Sequence, residues 1–211
     1  MMFWPFRLFA AVALISAASV AHAIGDVALV TAVQGKVLRI LPNTQAPLET
    51  FVKLKEGDQL ILQKSSSLRL VYFQGGRQET WTGEGTLEIR VVESNATRLA
   101  PPEVKVLPAL IVKQIAKTPT LDSQGRAGVT RLRSLGSSDA LGKLEAEYDR
   151  LRVESGGNDL NAEIYMLSGL YELREVERVE NFLNDLQLRH KGNSEAMVLV
   201  SLYRKAIKSL R

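Results

Sequence analysis

The stretch from Val27 to Val92 limits what this chain can fold into more than any other. It opens VALVTAVQGKVLRIL, continues through FVKLKEGDQLILQ and closes SLRLVYFQGGRQETWTGEGTLEIRVV. Short apolar runs separated by Gly-rich or polar turns predict a series of short strands. Leu87, Ile89 and Val91 alternate with Glu88 and Arg90, so one face of that strand is expected to be buried and the other wet. Leu68, Leu70 and Tyr72 alternate with Arg69, Val71 and Phe73, which predicts a strand covered on both faces. Val27–Val33 and Val37–Leu41 flank Gln34-Gly35 and read as a hairpin, because glycine accepts the positive φ of a tight turn. Pro42 and Pro47 mark a loop, and Glu56-Gly57-Asp58 a turn in which the Asp58 carboxylate caps nearby N–H groups. A small sandwich or rolled sheet follows.

The chain start predicts a compartment. MMFWPFR carries one positive side chain, Arg7; an uncharged run, Leu8–Val20, and then Ala21-His22-Ala23 follow. A short positive region, an apolar core and small residues at the break predict a secretory signal over residues 1–23, cleaved after Ala23. The apolar run is short for a retained spanning helix, which takes about 20 residues. The 211-residue chain has no cysteine, which excludes disulfides, thiolate metal sites and thiol nucleophiles. Without Arg7 the balance is 26 basic to 23 acidic side chains, and the excess is concentrated in residues 100–138, with 6 basic and 2 acidic. Lys105, Lys113, Lys117, Arg126, Arg131 and Arg133 make that segment a basic connector, read as a solvated linker, with contact to an anionic surface as the alternative. No aromatic interleaving of the nucleic-acid-binding kind accompanies it.

Pro101-Pro102 closes a β domain over residues 24–99. In the connector, Leu110, Ile111 and Ile115 predict a short helix from about Pro108, stopped at Thr118-Pro119. Asp122–Gly128 reads as a loop and Val129–Leu135 as a strand or an extended arm. From residue 139 to 211 the period becomes helical. Leu141, Leu144, Tyr148 and Leu151 mark a first helix behind a cap at Ser138 or Asp139, ended by Ser155-Gly156-Gly157. Leu160, Ile164, Leu167 and Tyr171 mark a second, capped at Asn158 or Asp159. Val176, Val179, Leu183 and Leu186 mark a third that stops before Gly192, and Asn193-Ser194-Glu195 opens a fourth through Met197, Val200, Tyr203 and Ile207. The fold class expected is α+β: an N-terminal all-β sheet followed by α-helical, repeat-like hairpins.

Catalytic and metal-binding patterns are sparse. The mature chain carries one histidine, His190, which reads as a helix C-terminal cap. No zinc-ligand cluster, nucleophile elbow or glycine-rich phosphate loop is present. Glu172, Glu175 and Glu177 read as the wet face of a helix. The expectation is a protein that is not an enzyme and takes no cofactor or metal.

Two resemblances add to this reading. Gly35, the pair Gly57-Asp58, the Ser-rich step at Ser66-Ser67 and the turn at Gly75-Gly76 resemble the FecR domain family, a β-rich periplasmic module, over about a third of the chain. That family usually has an aspartate-glycine turn where this chain has Gln74-Gly75-Gly76. The resemblance implies a periplasmic module that binds an envelope protein or polymer. Full-length FecR regulators carry a cytoplasmic sigma-factor segment ahead of a membrane span; with an export signal at its start, this chain is not expected to share that role. Residues 139–211 resemble tetratricopeptide repeats: Ala162 and Ala196 stand 34 residues apart, the length of that repeat, although its tryptophan is absent. That implies a surface for a protein partner. Tyr72, Phe73 and Trp81 read as core residues, with Trp81 also the candidate for stacking on a partner. The expected function is a non-catalytic periplasmic interaction or scaffold protein; the alternative is a cell-wall polysaccharide-binding module with a helical spacer.

Overall fold

β5 (Gln59–Tyr72) is the strand to which the rest of the sheet is referred in this computed structural model, which describes residues 25–120, 138–154 and 159–209. The expected signal, the loop at 122–128, the segment 129–135, the Ser155-Gly156-Gly157 stop and the Asn158 cap lie outside the described residues. One edge of β5 takes two strands end to end. β1 (Asp26–Gln34) runs antiparallel along its C-terminal half, from Ala28 opposite Tyr72 to Gln34 opposite Ser67. β2 (Val37–Leu41) runs along its N-terminal half, from Val37 opposite Leu62 to Ile40 opposite Gln59. The other edge pairs with β6 (Arg77–Ile89). β3 (Thr44–Pro47) lies outside β2 and β4 (Lys53–Lys55) outside β1. β7 (Ser94–Thr97) and β8 (Glu103–Val106) pair with opposite ends of β6. The result is an antiparallel sheet curled into a half-barrel.

The hairpin expected at Gln34-Gly35 does not form. β1 and β2 pair with β5 rather than with each other, because a strand of 14 residues is long enough to accept both on one edge. Only a bend is needed between them. From Gln34↔Ser67 to Val37↔Leu62 the first chain advances by three residues and β5 by five, so β5 bulges there. Ser65 takes φ +60 at the bulge, with Gly35 (φ +74) and Gly83 (φ +109) on the strands to either side. Bulges of this kind sharpen local twist and bend a sheet.

Strand alternation divides the apolar residues between two cores. Val30, Leu62, Leu70, Tyr72 and Leu87 fill the inside of the curl. Leu29 and Val71, one position over, face the other way and join the core of the helices, together with Phe51. The expectation of a strand covered on both faces therefore describes β5 from Leu68 to Val71. Alternation in β6 holds through Ile89; Val91 lies beyond the strand and is 38% exposed.

Residues 100–120 are no free linker. β8 extends the sheet, and α1 (Ala109–Ile115) buries Ile111, Val112 and Ile115 against the helices. The remaining helices fall where the apolar period predicts: α2 (Ser138–Glu154), α3 (Asn161–Glu172), α4 (Val176–Arg189) and α5 (Ser194–Lys208). α2 begins among the described residues at Ser138, one of the two residues expected at its start. Asn193 caps α5, its Oδ1 accepting the Ala196 N–H at 2.9 Å. α3 is the central helix, with every residue from Asn161 to Leu170 buried. None of the described helices is long and apolar enough to cross a membrane.

Candidate functional site

The sequence-marked positions divide into two structural groups. Gly35, Ser66 and Ser67 meet at the bend. The Ser66 hydroxyl accepts the Lys36 N–H and donates to the Lys36 carbonyl, both at 3.0 Å. A Cβ on Gly35 would stand 2.9 Å from Ser66 Oγ and 3.0 Å from its Cα. Glycine and serine therefore lock two bulged strands together. Gly57 and Asp58 form the β4–β5 turn, where the Asp58 carboxylate accepts the Lys55 N–H at 2.7 Å, as expected of a capping aspartate. Both of its oxygens also accept from Nη2 of Arg39, at 2.9 and 2.7 Å, an ion pair that spacing alone did not suggest. Gly75 and Gly76 make the β5–β6 turn. The Gly76 carbonyl accepts the Leu107 N–H at 2.8 Å, and a Cβ on Gly76 would lie 2.5 Å from the Leu107 carbonyl oxygen. These positions are architectural.

Trp81 is 4% exposed, and its indole N–H donates to Glu79 Oε2 at 2.9 Å. Glu79 is itself buried and is held by Arg77 at 2.7 Å. Trp81 therefore offers no open ring to a partner; a strand residue with an internal acceptor for its N–H is placed inside.

A different region collects polar side chains at a concave surface. A cleft of about 560 Å³ opens where the sheet meets the helices. Thr31 and Gln34 of β1 and Arg69 of β5 form one wall; Asp159, Asn161 and the Lys191–Glu195 turn form the other. The walls are joined at depth by Asn161, whose side-chain N–H₂ donates to Gln78 Oε1 at 2.8 Å. Both residues are buried, so this bond fixes how the helices sit on the sheet. The N-cap position of α3 falls on Leu160 and not on Asp159 as expected; Asp159, one residue earlier, accepts the Asn161 N–H at 2.9 Å. The Thr31 hydroxyl donates to the Arg69 carbonyl at 3.5 Å. Arg69 shares its face of β5 with Val71 and points toward the helices; its Nε is buried without a hydrogen-bond partner.

Behind this cleft, the helical core holds a charge cluster that the sequence reading missed. Glu163, on α3, is 0% exposed. Its carboxylate faces Arg152 of α2 at 3.2 Å, and Arg189 and His190 of α4 at 3.6 and 3.9 Å. The available signal was one acid inside the apolar run Ala162–Leu170. His190 is the C-cap residue of α4, as expected, but its ring turns inward and is 8% exposed. Burial pushes its pKa below the ordinary histidine value, and Glu163 opposes that shift. Among the described residues no three histidine or acidic side chains converge as metal ligands would.

No protein-family model, curated protein or solved structure matches this chain.

Proposed function

We propose that this chain is a non-catalytic module of the bacterial envelope, exported by a cleaved signal over residues 1–23, that binds a protein partner at the cleft between its sheet and its helices. The observation that carries the reading is the cleft itself. Its volume lies in the range of sites that enclose a short ligand segment, and its walls present hydroxyl, amide and charged groups from β1, β5, α3 and the α4–α5 turn. The Gly35–Ser66 bend and the Gly57-Asp58 and Gly75-Gly76 turns support the FecR-like reading of the sheet, and the succession of four helices, α2 to α5, supports the repeat-like reading of the rest. The polysaccharide-binding alternative has less behind it, since Trp81, the aromatic singled out for stacking, is internal.

The test is site-specific photo-crosslinking in the periplasm of an expressing bacterium, with the reactive group at Gln34 or Lys191 on the cleft rim and at Glu177 on the exposed side of α4. Protease-sensitive adducts from the rim positions and none from Glu177 are expected. Sedimentation of the chain with purified cell-wall sacculi, and no protein adduct from either rim position, would replace this reading with the polysaccharide-binding one.

A further inference from the structure

Arg69 is the unusual side chain of the cleft. Its neighbours Leu68 and Leu70 fill the inside of the curl, so strand alternation sends Arg69 to the helix-facing side. Other arginines of the sheet and its turns have acidic partners: Arg39 pairs with Asp58, Arg77 with Glu79 and Arg90 with Glu88. Among the described residues Arg69 has no ion pair, although its Nε is withdrawn from solvent and lacks an acceptor. A desolvated guanidinium N–H without an acceptor is unfavourable, and a carboxylate is the group whose geometry matches it, through two parallel N–H···O bonds. Lys191, on the opposite wall, is likewise without an ion pair among the described residues.

The acids of the cleft do not fill that role. The Asp159 carboxylate is taken up by the Asn161 backbone N–H and side-chain N–H₂, at 2.9 and 3.1 Å. Glu195 accepts the Ser194 hydroxyl at 2.9 Å. Both still contribute negative charge to the walls, which disfavours a dianionic phosphate more than a singly charged carboxylate. Gln34 and Ser194 at the rim supply an amide and a hydroxyl, groups suited to a peptide backbone.

We propose that the cleft receives an acidic peptide segment whose side-chain carboxylate seats on Arg69, with Lys191 as the second cation. This rests on the protein-partner reading above and names the chemistry of the bound segment. The probes are acetyl-Ala-Glu-Ala-amide and its neutral twin acetyl-Ala-Gln-Ala-amide, titrated into the mature chain and followed by the Arg69 Nε–H resonance and the Asn193–Glu195 amide resonances. The glutamate peptide should bind at least about tenfold more tightly, as a charge-assisted two-pronged contact requires, and its affinity should fall with added salt. Arg69→Gln should erase the difference between the peptides; Lys191→Gln, which alters an exposed turn, should reduce it and serves if Arg69→Gln fails to fold. Equal affinity for the two peptides, or an undiminished preference in a folded Arg69→Gln chain, overturns the proposal. So does inorganic phosphate that binds as tightly as the glutamate peptide and displaces it. If the glutamate preference holds but rim crosslinking yields no protein adduct, the partner reading fails and the carboxylate site stands. Adducts that persist in Arg69→Gln while the peptides bind equally leave the partner reading and remove the carboxylate site.

Discussion

Replacing Leu167 with alanine would open a cavity in the middle of the helical core. The side chain is 0% exposed, on a helix packed against α1, α2 and α4. Buried leucine-to-alanine changes cost about 2–5 kcal/mol, more where the surroundings cannot collapse. Contacts from three helices leave little freedom to collapse, so about 3–5 kcal/mol is the expectation. For a chain of this size each kcal/mol lowers the melting midpoint by about 2–4 °C, giving a fall of roughly 6–20 °C. Two optical probes then separate the halves of the molecule. Of the two tryptophans, Trp4 lies in the proposed signal, so in a chain begun at Ile24 fluorescence reports Trp81 and the sheet alone. Circular dichroism at the helical minimum reports mainly α2–α5. Leu29, Phe51 and Val71 of the sheet share a core with Leu167, so both probes should shift by the same amount. A circular-dichroism midpoint that falls while the Trp81 midpoint stays at the wild-type temperature would refute the argument that this shared core couples the two halves. A change of less than about 2 °C in both would refute the cavity argument itself.

Three further outcomes are expected. The mature protein recovered from the periplasm should begin at Ile24 by intact mass, and a membrane-bound product that retains Met1 would remove the export assignment. Gly35→Ala forces a side chain into a left-handed conformation against Ser66, which costs at least about 1–2 kcal/mol; Gly25→Ala, where nothing lies within 4 Å, is the matched control, and equal urea midpoints for the two would contradict the bend geometry. For His190 the folded pKa lies below the unfolded value of 6.5, so the unfolded chain binds the proton more readily and stability falls as pH drops below 6.5. The groups facing the ring are Glu163, Arg152 and Arg189, with Tyr148 beyond them bonded to Arg189. The loss of urea stability between pH 7.5 and pH 5 should be smaller in His190→Gln than in wild type; an identical loss in both would assign the acid sensitivity to other groups.

The period of the apolar residues was enough to read the helices: α4 and α5 bury one continuous face and the spacing records it, and α3, buried on every side, still carries that spacing. Asn193 could be read as a cap for the same reason: its partner, Ala196, is three residues away. Pairing in the sheet was less legible. Gln34-Gly35 has the chemistry of a tight turn, and only the length of β5 determines that the chain bends there instead of reversing. The role of residues 100–120 was hidden similarly, since β8 is short and exposed and its place follows from β6, not from its own pattern. The cleft was not legible at all. Arg69 stands in a strand read as covered on both faces, and what makes it distinctive is the helix start at Asn161 and the turn at Lys191, about 90 and 120 positions further along. Glu163 left a trace as a lone acid in an apolar helix, but its partners on α2 and α4 come from elsewhere in the chain.

The long β5–β6 hairpin also sets the order in which the sheet can assemble. Its pairs run outward from Val71↔Gln78 beside the turn to Gln59↔Glu88, so each new pair closes only a slightly longer loop than the last. β1, by contrast, reaches β5 across the whole of β2, β3 and β4, with Ala28 opposite Tyr72. Loop closure becomes costlier with length, and local pairings form sooner. The hairpin is therefore expected to zip from Gly75-Gly76 first and present its finished edges to strands arriving later. Gly75 is a clean probe of this order: its φ is +79 and nothing lies within 4 Å of an added Cβ, so alanine there strains the turn and touches nothing else. Gly75→Ala should slow refolding, whereas Gly35→Ala should mainly hasten unfolding, each seen in one arm of the denaturant chevron. The reverse assignment would mean that β1 and β2 dock before the hairpin closes.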